Sequence, residues 1–241
     1  MLAAAHEMAE GEPMRKAAFL CVMLAAMASV MAQQQLPPPF PRANATKLLE
    51  NDRINVWDVT WPRGQPTVMH RHVYDQVGTY YQRGGRVITT PDGEKRSNIT
   101  EVGSLSTTHK GTTHIEEGIT DPPLRAVFVE LKQEKASGLP PAEVGAAAFP
   151  RAGATQVLDD DRVTTWDYAS WAPGPGALKF RAARETIIVW LGEGSLQVTR
   201  RAGSTTTVQV TSGTMRHLDR GSAETLEMTS GSPRALFFEF K

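Results

Sequence analysis

The sequence predicts an all-β protein with two tandem domains. Beyond its amino-terminal segment, the chain consists of short runs rich in Val, Ile, Thr and aromatic residues, separated by Gly, Pro, Asp and Asn, which is typical of a β-sandwich or β-barrel. The chain also repeats itself: Trp57 and Trp166 lie 109 positions apart, and Gly111 and Gly221 lie 110 apart. A repeat of this length indicates duplicated domains, and 241 residues suffice for two domains of about 100 residues each.

The amino terminus predicts a secretory signal peptide over residues 1–32. Met14-Arg15-Lys16 precedes the apolar run AAFLCVMLAAMASVM, and Val30-Met31-Ala32 offers small residues for cleavage. Residues 1–13 lack signal character, so Met14 is an alternative start to Met1. The run is shorter than the roughly 20 residues of a membrane-spanning helix, which favours cleavage over an anchor. We therefore expect a periplasmic or secreted protein with no membrane contact after cleavage.

The cysteine content and the net charge limit the kinds of chemistry and partner that we expect. Cleavage would remove Cys21, the single cysteine, and with it any disulfide or cysteine nucleophile. The formal net charge of zero gives no indication of a nucleic-acid partner.

Four segments are expected after the signal peptide. Residues 33–43 form a proline-rich approach segment that we expect to be extended and poorly packed. Residues 44–132 form the first copy of the repeat and residues 152–241 form the second. Residues 133–151 form a linker, because two prolines end the strand pattern and small residues follow.

Histidines are the strongest candidates for a functional site. His70 and His72 lie two positions apart in a predicted strand, so their side chains project from the same face. His114 lies in the later segment HKGTTHIEEG. Neutral imidazoles from two neighbouring strands can converge on one metal ion. The alternative is that His70 and His72 are solvent-facing polar residues, and their spacing alone does not decide between the two.

The residues around these histidines resemble the two signatures of the cupin family. His70-x-His72, followed by Gln76 and a Gly pair, resembles the first signature. HKGTTH resembles the second, Pro-x-Gly-x-x-His, with His109 in place of Pro. The resemblance covers both copies and implies a bicupin, with two tandem antiparallel jelly-roll β-barrels. It also implies one divalent metal in the first barrel, held by His70, His72 and His114; Fe, Mn, Ni, Zn and Cu all accept imidazole ligands.

The first copy departs from the family pattern at Gln76, where the family has an acidic residue. An amide oxygen is a poorer ligand than a carboxylate, so Gln76 is expected to bind weakly or to orient water. Three neutral imidazoles leave the charge of the ion uncompensated, which should attract an anionic ligand. Tyr80 shares the strand parity of Gln76 and is a candidate pocket residue, the alternative being a core aromatic. The second departure from the family pattern is His109, which stands in place of Pro. The alternative to a role in the site is that His109 is an exposed turn residue.

The second copy lacks histidines at the positions that correspond to the metal site. An alignment at offsets of 109 and 110 sets four charged residues opposite His70, His72, Gln76 and His114, in that order: Lys179, Arg181, Glu185 and Glu224. We hypothesise that these four form a charge-balanced cluster, since buried charges must be paired. The alternative is that they face solvent. Residues that recur in both copies are expected to belong to the scaffold: Trp57 and Trp166, Asp58 and Asp167, Glu130 and Glu239.

Three functional hypotheses follow. The first is a metal-dependent enzyme, an oxygenase or an isomerase/lyase, acting on a small anionic molecule. The second is a non-catalytic module that binds a small ligand. The third is a structural protein with a vestigial site. The sequence leaves the oligomeric state open, with a homodimer among the options.

Overall fold

The computed structural model describes residues 36–133, 148–169, 178–200 and 203–241, and of residues 178–181 only the backbone. The predicted signal peptide and most of the predicted linker lie outside these ranges. The described chain is all β, as predicted. No helix in this part of the chain has the length and apolar character needed to cross a membrane.

The strands fall into two sets of nine. The first set is β1 (Ala45–Glu50), β2 (Ile54–Trp61), β3 (His70–Arg71), β4 (Asp75–Gln82), β5 (Gly84–Thr89), β6 (Lys95–Thr100), β7 (Leu105–Thr108), β8 (Thr113–Gly118) and β9 (Leu124–Leu131). The second set is β10 (Ala154–Asp159), β11 (Val163–Tyr168), β12 (Leu178–Arg181), β13 (Glu185–Trp190), β14 (Gly194–Arg200), β15 (Thr205–Val210), β16 (Met215–Leu218), β17 (Ala223–Gly231) and β18 (Ala235–Phe240).

Each set folds into the same pair of antiparallel sheets. In the first set the strand orders are β1-β2-β9-β4-β7 and β3-β8-β5-β6. In the second set they are β10-β11-β18-β13-β16 and β12-β17-β14-β15, which is the same order shifted by nine strands. The predicted fold of two tandem antiparallel jelly-roll barrels is therefore confirmed.

The segment before each barrel packs against that barrel. We expected residues 33–43 to be poorly packed, but Phe40 is 6% exposed and stacks on Trp57 with ring centroids 4.8 Å apart. Phe149, 109 positions later, stacks on Trp166 at 5.4 Å. Aromatic rings bury a large apolar area, which is enough to fix these short segments. The repeat in space thus includes the Phe-Pro-Arg-Ala sequence that precedes β1 and β10.

The residues that recur in both copies make the same contacts twice. The indole Nε1 of Trp57 donates to Glu130 Oε2 at 2.9 Å, and that of Trp166 donates to Glu239 Oε2 at 2.9 Å. The aspartates that follow the tryptophans pair with arginines in β9 and immediately before β18: Asp58 with Arg125 at 2.9 Å and Asp167 with Arg234 at 2.6 Å. These residues tie neighbouring strands of one sheet together, which is a structural role.

The five-stranded sheets of the two barrels share an apolar core. Side chains from both sets of strands form a single buried cluster, which includes Val56, Val77, Val129, Ile187, Phe238 and Phe240. At its rim the ion pairs are related by a pseudo-twofold axis. Arg53 of the first barrel donates to Glu185 of the second at 3.2 Å, and Arg162 of the second donates to Asp75 of the first at 2.7 Å.

Candidate metal centre

Strands β3 and β8 place two of the histidines side by side. His70 and His114 are direct partners in the antiparallel ladder. Along β8, burial alternates strictly, so that His114 and Glu116 are buried and their neighbours only partly so. Gly118 is the next buried position on this strand. A Cβ there would lie 2.1 Å from the carbonyl oxygen of Trp61, so a residue with a side chain does not fit. The close approach of β2 and β8 therefore depends on this glycine.

A tight turn between β7 and β8 holds the third histidine. The backbone N–H of His72 donates to the carbonyl of Thr112 at 2.9 Å, and the N–H of Gly111 donates to the carbonyl of His72 at 2.7 Å. Gly111 has φ 90°, a conformation that favours glycine. His109, in the same turn, has a side chain that is 90% exposed and lies 3.7 Å from Asp75.

The three imidazoles converge inside the first barrel. His70, His72 and His114 are 1%, 5% and 7% exposed, and one nitrogen from each lies within 4.8 Å of the others. The Nε2 atoms of His72 and His114 are 3.3 Å apart. Two nitrogens bound at about 2.1 Å to one ion, at angles from 90° to tetrahedral, would lie roughly 3.0 to 3.4 Å apart. The separation of His72 and His114 therefore fits a shared metal ion.

The protonation of the triad also suits metal binding. Nδ1 of His70 lies 3.0 Å from the carbonyl of Val68 and donates to it, which leaves Nε2 as a lone-pair donor. That Nε2 is buried and has no hydrogen-bond partner in the described part of the chain. Burial lowers the pKa of His70, and it lowers the pKa values of His72 and His114 to about 4 each. The imidazoles are thus neutral at neutral pH, which is the form that binds metals.

The structure gives Gln76 and Tyr80 buried positions on β4. Gln76 is 5% exposed, and its Oε1 atom has no hydrogen-bond partner among the described residues. An unpaired buried amide oxygen is consistent with a role as a weak ligand or water-orienting group, which stays a prediction. Tyr80 packs between Trp61 and Phe128, and its hydroxyl accepts a hydrogen bond from Arg86 at 2.6 Å. Tyr80 is therefore a core aromatic whose hydroxyl belongs to a buried polar network.

That network contains residues that we did not single out in the sequence. Glu116 is buried and accepts hydrogen bonds from Arg42 at 2.9 Å and from the indole of Trp61 at 3.1 Å. It also pairs with Arg86. Its Oε1 lies 3.9 Å from Nε2 of His114, so the network borders the triad. Burial alone would raise the pKa of Glu116, but the charges of Arg86 and Arg42 outweigh that effect and lower it.

One of these residues carried a signal in the sequence. Glu116 lies two positions after His114, so strand parity predicts the same face for both residues. Arg86 and Arg42 carry no such pattern. The first lies on β5, the strand paired with β8 in the same sheet, and the second precedes β1 altogether.

The second barrel shows that our alignment of the copies was wrong by one residue around the metal site. Glu224 pairs with Phe180 in the β12–β17 ladder, as His114 pairs with His70. The turn bonds agree, because Ala182 exchanges hydrogen bonds with Gly221 and Ser222 as His72 does with Gly111 and Thr112. The residues opposite His70 and His72 are therefore Phe180 and Ala182. Lys179 and Arg181 are each one position away, and their side chains lie outside the described part.

The hypothesis of a four-residue charge cluster is wrong for Glu185. This residue corresponds to Asp75, since both pair with the carboxyl-terminal end of the last strand of their barrel. Its carboxylate accepts from Asn51 at 2.6 Å and contacts His217 at 2.9 Å, at the contact between the barrels. Glu224 has different partners, Arg216 at 2.6 Å and Arg200 at 3.6 Å.

Comparison with known proteins supports the fold. No family model matches the sequence, and no curated protein is similar to it in sequence. A cupin 2 conserved barrel domain protein from Leptotrichia buccalis is similar in structure, with a TM-score of 0.55, 12% identity, and coverage of 82% of this chain and 88% of that one. Salicylate 1,2-dioxygenase from Pseudaminobacter salicylatoxidans gives a TM-score of 0.56 at 11% identity, with coverage of 90% and 82%. Oxalate decarboxylase from Lactobacillus farciminis, in a formate complex, gives 0.51 at 9% identity, with coverage of 85% and 88%.

Similarity at this level of identity establishes the fold. It agrees with the histidine signatures of the sequence and with the two matching sets of nine strands. The chain therefore has the fold of the cupin superfamily, in the tandem arrangement of the bicupins.

Proposed function

We propose that this protein is a metal-dependent enzyme, an oxygenase or an isomerase/lyase, that acts on a small anionic molecule. The observation that carries the proposal is the convergence of three buried, neutral imidazoles within 4.8 Å in the first barrel. His70, His72 and His114 would hold one divalent first-row ion. Such an ion would supply Lewis acidity or redox chemistry at its open coordination positions.

The surrounding residues support an anionic substrate. Arg42 and Arg86 lie next to the triad and share a single carboxylate, that of Glu116. The hydroxyl of Tyr80 accepts a hydrogen bond from Arg86, and its own O–H group is a further donor beside the two arginines. Two of the similar structures are named for enzymes of carboxylate-bearing molecules, oxalate and salicylate. We further propose that the protein acts in the periplasm or outside the cell, on the basis of the signal pattern in residues 14–32.

Metal content is the decisive measurement. The protein, purified from the periplasm without chelators, should contain close to one first-row metal ion per chain by elemental analysis. His114→Ala should lose most of this metal, because a bidentate remnant binds poorly. His109→Ala is the matched control, since His109 is exposed and should leave metal content unchanged. A wild-type protein without first-row metal would contradict the proposal.

A second step separates the reactions. Oxygen uptake by the metal-loaded protein, screened with small carboxylates and phenols, is expected for an oxygenase. Substrate turnover without oxygen uptake would indicate an isomerase or lyase. Metal binding with no turnover in either assay would favour the non-catalytic binding module.

A further inference from the structure

The interior of the first barrel carries more positive than negative charge beside the triad. The side chains of Arg42, Arg86 and Glu116 are 13%, 11% and 7% exposed. Two guanidinium groups therefore share one carboxylate in a region that is largely shielded from water. The ring of Trp61 lies against both guanidiniums, at 5.6 and 5.0 Å, and offsets part of the charge. Because an uncompensated buried charge is costly, an additional anion would complete the set.

The two arginines also have donors that no protein atom uses. The Nε atoms of Arg42 and Arg86 are buried and have no acceptor among the described residues. Buried N–H groups of this kind are normally hydrogen-bonded in folded proteins. Since Arg86 donates to the oxygen of Tyr80 at 2.6 Å, the phenolic O–H is free to donate as well. Three donors therefore lie next to the excess positive charge: the Nε–H groups of Arg42 and Arg86 and the O–H group of Tyr80.

The second barrel serves as an internal control. The ladder positions of Tyr80, Arg86 and Glu116 are occupied there by three fully buried apolar side chains, Trp190, Leu196 and Leu226. The Phe-Pro-Arg-Ala segment is present in both copies, but the second arginine, Arg151, lies over the ring of Tyr168 at 5.5 Å. Among the side chains that the structure describes, the cationic network is therefore found only in the barrel that holds the histidines.

We infer that Arg42 and Arg86 form a carboxylate-binding subsite next to the His triad, with Glu116 and Tyr80 as the groups that position the two guanidiniums. The inference rests on the proposed function, because the ligand is the small anion of that proposal. A carboxylate is the fitting class, since guanidinium N–H groups form strong, directional hydrogen bonds with carboxylate oxygens. Arg42 precedes β1, so the amino-terminal segment contributes a specificity-determining residue to the barrel interior.

The test is ligand binding with metal content measured in parallel. The metal-loaded protein would be titrated calorimetrically with formate, acetate and benzoate, and with acetamide and benzamide as uncharged analogues. The wild type should bind at least one carboxylate and should discriminate against its amide. Arg42→Gln and Arg86→Gln should bind that carboxylate about 10- to 100-fold more weakly, with metal content unchanged. Arg151→Gln, the matched change in the second barrel, should bind like the wild type.

A folding defect in the single variants is controlled by the triple variant R42Q/R86L/E116L, in which no arginine is left beside a missing carboxylate. It copies Leu196 and Leu226 of the second barrel, and replacing buried ion pairs by uncharged residues is often tolerated. It should fold, retain the metal and lose carboxylate binding. Retained carboxylate affinity in R42Q and in the triple variant, or failure of the metal-loaded wild type to bind any of the three carboxylates, would overturn the inference and leave the metal site standing. Arginine-dependent carboxylate binding in a protein that takes up no metal would support the subsite and refute the proposed function.

Discussion

Buried imidazoles normally have partners for both ring nitrogens, but the triad departs from that rule. Nε2 of His70 and Nδ1 of His72 are buried and find no hydrogen-bond partner among the residues that the structure describes, and the Nε2 atoms of His72 and His114 face each other at 3.3 Å. Unpaired buried polar atoms cost about 1–3 kcal/mol each. A site that accepts this cost in the metal-free state is organised for an additional atom at the point where the nitrogens meet.

The first prediction concerns the pH dependence of the metal-free protein. Because burial lowers the pKa values of His72 and His114 to about 4, the unfolded chain binds protons that the folded chain does not, between about pH 6.5 and 4. The stability contributed by each neutral imidazole is fully present above pH 6.5 and is lost as the pH falls through 4. The loss is on the order of 3 kcal/mol per histidine.

Urea denaturation of metal-free protein between pH 7 and 4 measures this effect. The double variant H72Q/H114Q cannot titrate at these positions, so its unfolding free energy should fall less steeply over the same range. Parallel pH profiles for the wild type and the double variant would refute the prediction.

The second prediction concerns Glu116, whose carboxylate is shared by two arginines. Glu116→Gln keeps an acceptor for the indole of Trp61 but leaves both guanidiniums without a counter-charge. Breaking a buried ion pair typically costs about 3–5 kcal/mol. Glu117→Gln, on the outward-facing side of the same strand, should cost less than about 0.5 kcal/mol. Chemical denaturation of both variants gives the comparison, and equal values would show that the network does not stabilise the fold.

At the scale of strands and turns, the two barrels share one framework and differ in what it holds. Gly111 and Gly221 have φ values of 90° and 82°, and both donate to the residue that follows β3 or β12. In the first barrel that residue is His72, and in the second it is Ala182. The same turn therefore positions a metal ligand once and a small apolar residue once.

The third prediction uses this duplication. A Cβ at Gly111 meets no neighbouring atom, so Gly111→Ala would act through backbone strain alone, about 1–3 kcal/mol. Relief of that strain should shift the bond to His72 and weaken metal binding, as measured by competition with a chelator. Gly221→Ala should carry a similar loss of stability without a change in metal affinity. Unaltered metal binding in G111A would show that the turn does not position His72.

The spacing and the register of the strands explain which parts of the structure could be predicted from the sequence. The duplication and the parity of His70 and His72 follow from local spacing, and the structure confirms the all-β, two-barrel fold. Strand register does not follow from local spacing, because the offset between copies is 109 at Trp57 but 110 at His70. A shift of one residue turns a side chain to the opposite face of a strand. That shift made Lys179 look equivalent to His70, where the ladder places Phe180. Arg42 and Arg86 were missed because local spacing shows neither the pairing of β5 with β8, which brings Arg86 to Glu116, nor the path of the segment before β1, which brings Arg42 there.

At the scale of the whole molecule, polar contacts tie the barrels together around their shared apolar core. Asn51 and Arg53 of the first barrel donate to Glu185 of the second, and Arg162 of the second barrel donates to Asp75 of the first. His217 adds a titratable partner, since its Nε2 lies 2.9 Å from Glu185 and 3.9 Å from Asp219. The hydrogen bond to Glu185 raises the pKa of His217. His217 therefore pairs, within the second barrel, with the carboxylate that Asn51 and Arg53 of the first barrel contact.

The fourth prediction follows from the sign of that shift. A histidine whose pKa is raised by folding contributes stability that is fully present below its unfolded value, about 6.5, and is lost as the pH rises through the folded value. The wild type should therefore lose up to about 1 kcal/mol relative to His217→Gln as the pH rises above 6.5. This trend is opposite to that of the triad, so the metal-free protein should be most stable near neutral pH. Thermal melts of the wild type and H217Q from pH 5 to 9 test both slopes, and an H217Q profile that parallels the wild type on the alkaline side would show that the charge of His217 does not stabilise the fold.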